Sequence, residues 1–244
     1  TTTTAATSTA AATAADAGCS RPMIVVVWGG IGAGKSTGAL QLFEVLGVRD
    51  DGFAKVGVDD LVELVPEYRA AVESGDAETK AGAYMKFRDT AKKLKGPTLA
   101  TAFEQRRNIY LEWTYEGNLI KFAKGEDAEL PFVAAGYDVV LLYVACRDLE
   151  GILRNAATRE RTIPEDTIRK YNHNRSKHFI EAANGLHGLA AAAQSRSALR
   201  AFVIDRKTAD NAGPLREVSS ALPVRISAEA TDEDAWAIVE SSAA

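Results

Sequence analysis

The sequence predicts an α/β fold, a three-layer sandwich with a mostly parallel central sheet and helices on both faces. Three observations predict it. Apolar β-branched runs alternate with segments of helical spacing, the pattern of βα units. The first such run, Met23–Trp28, leads straight into a glycine-rich turn and then an amphipathic segment. The 244 residues are 46% hydrophobic and 25% charged, the balance of an ordinary globular chain.

Each element follows from its residues. Residues 1–15 are threonine and alanine except for Ser8, so residues 1–21 are expected to be a low-complexity tail with little to bury. Residues 22–244 are expected to form a single domain. Met23–Trp28 reads as a strand buried on both faces. Ser36–Leu46 reads as a helix with Gly47 as its C-cap. Phe53–Val58 is a short strand ending in Asp59-Asp60, and Leu61–Ser74 and Ala77–Leu94 are helices. Gly96-Pro97 is expected to break the second, with Thr98–Arg107 resuming helix. Ile109–Trp113 is a third strand, residues 116–135 are helical but interrupted at Pro131, and Tyr137–Cys146 carries the strongest strand signal. Leu149–Thr158 is a helix, and Pro164 opens a longer one running to about Ala193. Ala201–Ile204 and Pro223–Ile226 are late strands, and Asp232–Val239 a closing helix.

Charge and cysteine content narrow the function classes. The formal net charge of −4 speaks against a duplex-DNA partner, which calls for a basic excess. The longest apolar runs are too short to span a bilayer, so no membrane partner is expected. Cys19 and Cys146 form no CxxC or Cys/His cluster. They read as free thiols of a reducing compartment, and with no secretory signal a cytoplasmic location is expected. His173, His178 and His187 are spaced by five and nine residues, not as a metal pair at i, i+4.

The chemistry rests on Gly29-Gly30-Ile31-Gly32-Ala33-Gly34-Lys35-Ser36, which matches G-x-x-x-x-G-K-[ST] between a strand and a helix. This is a P-loop, and it makes the expected fold a P-loop NTPase of the kinase type. Glycines let the backbone N–H groups turn inward towards phosphate oxygens, and the helix N-terminus adds partial positive charge. Gly30, Ile31, Gly32, Ala33, Gly34, Lys35, Ser36 and Thr37 are therefore the expected binding residues for ATP. Lys35 reaches the β- and γ-phosphates, and the Ser36 hydroxyl is a ligand for Mg²⁺.

Further candidates lie at strand ends, where ligands bind in such sheets. Asp59 and Asp60 follow the second strand. One of them, Asp59 first, is placed to take a proton from a substrate hydroxyl; the alternative is that they cap the next helix, and both roles hold together if Asp60 caps and Asp59 acts, with Asp60 also a candidate substrate contact. Glu112 and Thr114 follow the third strand and are placed to hold a metal-bound water or a substrate hydroxyl, with Trp113 as a stacking platform or a packing residue. Arg154, Arg159 and Arg161 precede Pro164, in a lid segment of about 154–165. Arg154 and Arg161 are the expected partners for charge building on a transferring phosphoryl group; the alternative is a solvated helix face. The run Tyr137–Ala145 has no acid at its end, which argues against a large motor or GTPase switch and for a small-molecule kinase.

The order of these blocks resembles the zeta-toxin family of P-loop kinases, close to bacterial UDP-N-acetylglucosamine kinases. The resemblance rests on the P-loop, Val58-Asp59-Asp60-Leu61 with Pro66-Glu67-Tyr68, Asn108–Thr114, and Arg161-Thr162-Ile163-Pro164, within roughly residues 22–195. It implies that Asp59 is the general base, that Glu112-Trp113-Thr114 replaces the family's Glu-Gly-Thr, and that Arg161 contacts phosphate with Arg154 near a second such position. It implies transfer of the ATP γ-phosphoryl group to a hydroxyl, the 3′-hydroxyl of UDP-N-acetylglucosamine being the best-known acceptor. Ile31 stands where the family often has proline, and Trp113 replaces a glycine. The small-molecule acceptor is therefore left open, and an antitoxin-like protein partner has no support in the sequence. Two other readings remain: a different P-loop kinase for a small molecule or a polynucleotide end, and an ATP-binding module with a degenerate acceptor site.

Overall fold

The computed structural model describes residues 21–75, 77–114, 117, 119, 121–122, 132–157, 164–171, 176–192, 198–227 and 229–242. The tail expected over residues 1–21 lies almost entirely outside them, as does most of the segment 115–131.

The sheet is built on β1 (Met23–Gly29), whose Ile24, Val25, Val26 and Val27 are fully buried. It pairs in parallel with β3 (Asn108–Trp113) on one side and β4 (Asp138–Cys146) on the other. With β2 (Phe53–Lys55), β5 (Leu199–Arg206) and β6 (Leu215–Glu217) the order is β2-β3-β1-β4-β5-β6, parallel but for β6. Strand alternation divides the apolar residues between two layers. Val25, Val27, Tyr110, Leu142 and Phe202 face α1 (Lys35–Leu46) through Leu42 and Phe43. Ile24, Val26, Trp28, Leu111 and Tyr143 face the opposite layer, with Phe179 and Trp236. That layer comprises α4 (Ala77–Glu104), α7 (Ser176–Ala192) and α8 (Asp232–Ser242). The chain leaves β1 through α1 and returns on either side of it, which leaves a crevice at the carboxyl ends of the strands. The three-layer sandwich is the fold expected from the sequence.

Several elements differ from expectation. β2 is only three residues long, because Val58 already begins α2 (Val58–Val62) after Gly57. Asp59 and Asp60 thus sit in the first turn of a helix rather than on a strand end. The helix expected over Leu61–Ser74 is two helices. Pro66 opens α3 (Pro66–Ser74) at N1 and holds Val65 extended (φ −79°, ψ 114°). Conversely, α4 runs unbroken through Gly96-Pro97. Proline removes one N–H from the ladder, but Pro97 and Lys93, the residue one turn earlier, are both exposed, so water can take the freed carbonyl. Buried Ala91 and Ala102 anchor the helix on either side.

Pro223–Ile226 is not a strand. Val224 instead pairs with the Asn184 side chain, its N–H donating to Oδ1 (2.8 Å) and its carbonyl accepting from Nδ2 (2.7 Å). The sheet is closed by β6, held to β5 by the two-pronged Arg200–Glu217 pair (2.9 and 2.6 Å). After α5 (Leu149–Ala157), the long helix expected from Pro164 appears as α6 (Glu165–Lys170) and α7, with 172–175 outside the described residues.

Candidate active site

The loop Gly29–Ser36 crosses the carboxyl end of β1 in a tight turn, with the Ala33 N–H donating to the Gly30 carbonyl (3.2 Å). Gly32 and Gly34 take left-handed conformations, φ +76° and +88°, which glycine adopts without steric cost. A Cβ on Gly32 would lie 2.6 Å from Ile152 Cγ2, and one on Gly34 would enter the Arg206 guanidinium. Gly34 is the N-cap of α1 and supplies no side-chain cap, so the first N–H groups of this helix are open to an anion.

Lys35 is only 8% exposed. Its Nζ donates to the Gly30 carbonyl (3.0 Å) and to Thr114 Oγ1 (3.3 Å), and pairs with Glu112 Oε1 (3.6 Å). Ser36 Oγ reaches the other oxygen, Glu112 Oε2, at 3.5 Å. Glu112 comes here because β3 lies beside β1 with Val27 opposite Glu112, and both face the α1 layer. Tyr110, two residues earlier on the same face, donates its phenol to Glu112 Oε2 (3.0 Å). Burial pushes the Tyr110 phenol far above its usual range, and the Glu112 charge reinforces it. Tyr110 therefore stays a donor and holds the carboxylate in place.

Asp59 and Asp60 approach from α2. Asp60 is at N3, and its carboxylate hydrogen-bonds back to the Gly57 N–H at the N-cap, half of a capping box. Burial holds its carboxyl above the ordinary range, Glu112 and Asp59 repel it further, and Lys55 opposes them. Asp59 is exposed, and its Oδ1 accepts from the buried Tyr84 hydroxyl of α4 at 2.6 Å.

The other expected residues are placed differently. Trp113 points to the opposite layer from Glu112, is 7% exposed, and meets Phe122 edge-on with ring centroids 5.5 Å apart. It is a core residue with Lys95 over its ring at 5.5 Å, not a platform at the rim. Arg154 is exposed on α5 and is not brought to Lys35 by any contact among the described residues. Arg159 and Arg161 lie outside the described residues. Ile31 packs against the small buried cluster of Ile152, Ala156, Ile168 and Ala209, and Thr37 is exposed on α1.

Two tyrosines and an arginine were not expected here. Tyr110 was legible in the alternation of its strand, since it shares a face with Glu112. Tyr84 and Arg206 gave no local signal, because their partners are remote in the chain. A cleft of about 430 Å³ also opens beside Gly30, running along Tyr143–Arg147 at the end of β4 to Glu233, Trp236 and Glu240 of α8.

With this geometry in view, the comparisons are decisive for the family. The family model described as Zeta toxin matches residues 7–213. The chain belongs to the zeta toxin family. It is accordingly a P-loop kinase-like protein of the phosphotransferase class. Among solved structures, it is similar to one from the PezAT chromosomal toxin–antitoxin system of the human pathogen Streptococcus pneumoniae, with 14% identity and a TM-score of 0.50. That match covers 91% of this chain and 85% of the other. At such identity the likeness speaks for the fold. TT1252 from Thermus thermophilus matches at 16% identity over 77% of this chain and 90% of its own, with a TM-score of 0.33. No curated protein sequence matches significantly. Among the described residues, no helix is long and apolar enough to cross a membrane.

Proposed function

We propose that this zeta toxin family member is a Mg·ATP-dependent kinase that moves the γ-phosphoryl group to a hydroxyl of a small metabolite, with nucleotide sugars such as UDP-N-acetylglucosamine as the first acceptor class to test. The observation that carries the reading is the convergence of Lys35, Ser36, Glu112 and Thr114 at the mouth of the P-loop, with the exposed Asp59 on the next helix.

The residues suit the groups they would hold. Ser36 and Glu112 offer hard oxygen donors 3.5 Å apart, and Asp60 is repelled by the nearby Glu112 charge, a combination that a divalent cation relieves. Mg²⁺, when bound, neutralises charge on the β- and γ-phosphate oxygens. Gly30–Thr37 would cradle the triphosphate through backbone N–H groups. The Lys35 ammonium, already buried at the loop, would turn from Glu112 to the phosphates. In the transfer, the acceptor oxygen bonds to the γ-phosphorus, the bond from that phosphorus to the β,γ-bridging oxygen breaks, and ADP leaves. Asp59 takes the acceptor proton, and the Tyr84 hydroxyl holds its carboxylate in one rotamer. Arg154 and Arg161 would bring charge to the phosphoryl group from the lid segment. Because Trp113 is buried, the acceptor would contact Asp59, Asp60, Glu112 and Thr114 instead. An antitoxin-like protein partner is proposed solely by carry-over from the pneumococcal system, and co-purification from the native host tests it.

The test is ADP release from Mg·ATP against a panel of hydroxyl acceptors that includes UDP-N-acetylglucosamine. One acceptor should stimulate release, and Asp59→Ala should lower the stimulated rate by about 10²–10⁴-fold with Mg·ATP affinity held within a few-fold. Undiminished turnover in Asp59→Ala would remove it as the base. Tight nucleotide binding without stimulation by any acceptor would favour a nucleotide-dependent binding module.

A further inference from the structure

Behind the P-loop sits a second buried cation, apart from the Lys35–Glu112 cluster. Arg206 ends β5 opposite Cys146 and is 8% exposed. Its Nη1 donates to the Ala33 carbonyl (2.7 Å), its Nε to the Asn211 carbonyl (2.6 Å), and its Nη2 to the Ala209 carbonyl. All three acceptors are backbone oxygens. Among the described residues no carboxylate is in ion-pair range of this guanidinium, and the adjacent Asp205 pairs with Arg147 instead (3.5 Å). A buried charge held only by carbonyl dipoles is a costly arrangement for a fold to keep.

The contact with Ala33 has a directional consequence. In a planar trans peptide the carbonyl and the next N–H point in opposite directions. Drawing the Ala33 carbonyl back onto Arg206 therefore aims the Gly34 N–H forward, into the concavity of the loop. Gly34 is left-handed at φ +88°, and a side chain there would collide with Nη1, so guanidinium and glycine occupy the site as a matched pair.

We propose that Arg206 is a positioning residue for phosphate binding: it orients the Ala33–Gly34 peptide so that the Gly34 N–H faces the anion, and it backs that N–H with a full positive charge. This rests on the reading that the loop holds a nucleoside triphosphate. Through Ala209 and Asn211 the same side chain ties the loop to the turn after β5. Asp148, at the start of α5, grips that turn by accepting from the Ala209 N–H (3.1 Å).

The experiment is calorimetric titration of Mg·ATP into the full chain as wild type, Arg206→Lys and Arg206→Met, with the melting temperature of each ligand-free protein measured alongside. Arg206→Met should weaken Mg·ATP binding about ten- to hundredfold, the span expected for hydrogen bonds to charged groups. Arg206→Lys keeps the charge but cannot reach all three carbonyls, and should bind between the two. A lower melting temperature with wild-type affinity in both variants would make Arg206 a structural residue only and overturn the proposal. If Arg206→Met does not fold, Arg206→Lys decides: affinity reduced by roughly threefold or more supports the role, and unchanged affinity overturns it. If the wild type binds no Mg·ATP, the nucleotide reading itself falls. If the wild type binds and both variants bind equally well, only the role of Arg206 falls.

Discussion

On the β3 flank of the P-loop, Lys35 and Ser36 meet the side chains of Glu112 and Thr114, with the carboxylates of Asp60 and Asp59 beyond them. On the β4–β5 flank, the same loop meets the Ile152 methyl group and the Arg206 guanidinium, which ends on three backbone carbonyls. The first flank is half-exposed and carries more negative charge than it can neutralise by itself. On the second, the Arg206 guanidinium is buried and each of its three nitrogens donates to a backbone carbonyl. Side chains that must change partners when a ligand arrives are thus gathered on one side, while the contacts that give the loop its shape are on the other. The two flanks should therefore fail differently when cut: the first in chemistry, the second in stability and nucleotide affinity.

The largest effect is expected at Lys35. Lys35→Met should lower acceptor-stimulated ADP release by about 10³-fold or more, because it removes a charge aimed at the phosphates, while circular dichroism shows a folded protein. A melting temperature that collapses with the activity would erase the contrast between the flanks. Gly32→Val tests the other side. It sets a β-branched residue at positive φ against Ile152 and should cost about 2–4 kcal/mol in urea unfolding. An unchanged unfolding midpoint would mean that this flank yields freely. Tyr84→Phe is a smaller cut on the first flank. Losing one hydrogen bond to Asp59 should lower kcat about fivefold with KM nearly constant, and a change confined to KM would mean that Tyr84 binds rather than orients.

The smallest effect concerns Asp60 and has a sign that depends on pH. Its carboxyl is held above the ordinary range in the folded chain. Ionised Asp60 therefore opposes folding at pH 7, and the opposition disappears below the unfolded value of about 3.9. Asp60→Asn, which keeps an oxygen for the Gly57 N–H, should raise the melting temperature slightly at pH 7 and not at pH 3.5. Millimolar Mg²⁺ should shrink the gain. A gain that is the same at both pH values would locate the cause elsewhere than in charge.

Much of the fold was legible because it is local. Met23–Gly29, the P-loop, α1 with its left-handed Gly47 cap, and β4 each declare themselves within a dozen residues. The elements that depart from local pattern share another cause. Asn184 stands in for a strand beside Val224, so an apolar run that reads as a strand is paired by an amide 40 residues away. Pro97 breaks helices on average, yet here the burial of Ala91 and Ala102 decides. The site divides in the same way. Lys35, Ser36, Glu112 and Thr114 follow from motif and strand register. For Trp113 the sequence leaves a stacking platform and a packing residue both open, and the alternation of its strand, one residue past Glu112, decides for packing. Arg206 reaches Ala33 across 173 positions, a partnership that no pattern near either residue reveals.

The two outermost strands, β2 and β6, have three residues each. A strand that short exposes few unpaired N–H and C=O groups, so neither border of the sheet is a good template for another chain's backbone. The molecule is poorly suited to edge-to-edge polymerisation. Among the described residues, a protein that docks on the molecule would therefore meet mainly side chains of helices and loops rather than a long run of edge-strand main chain.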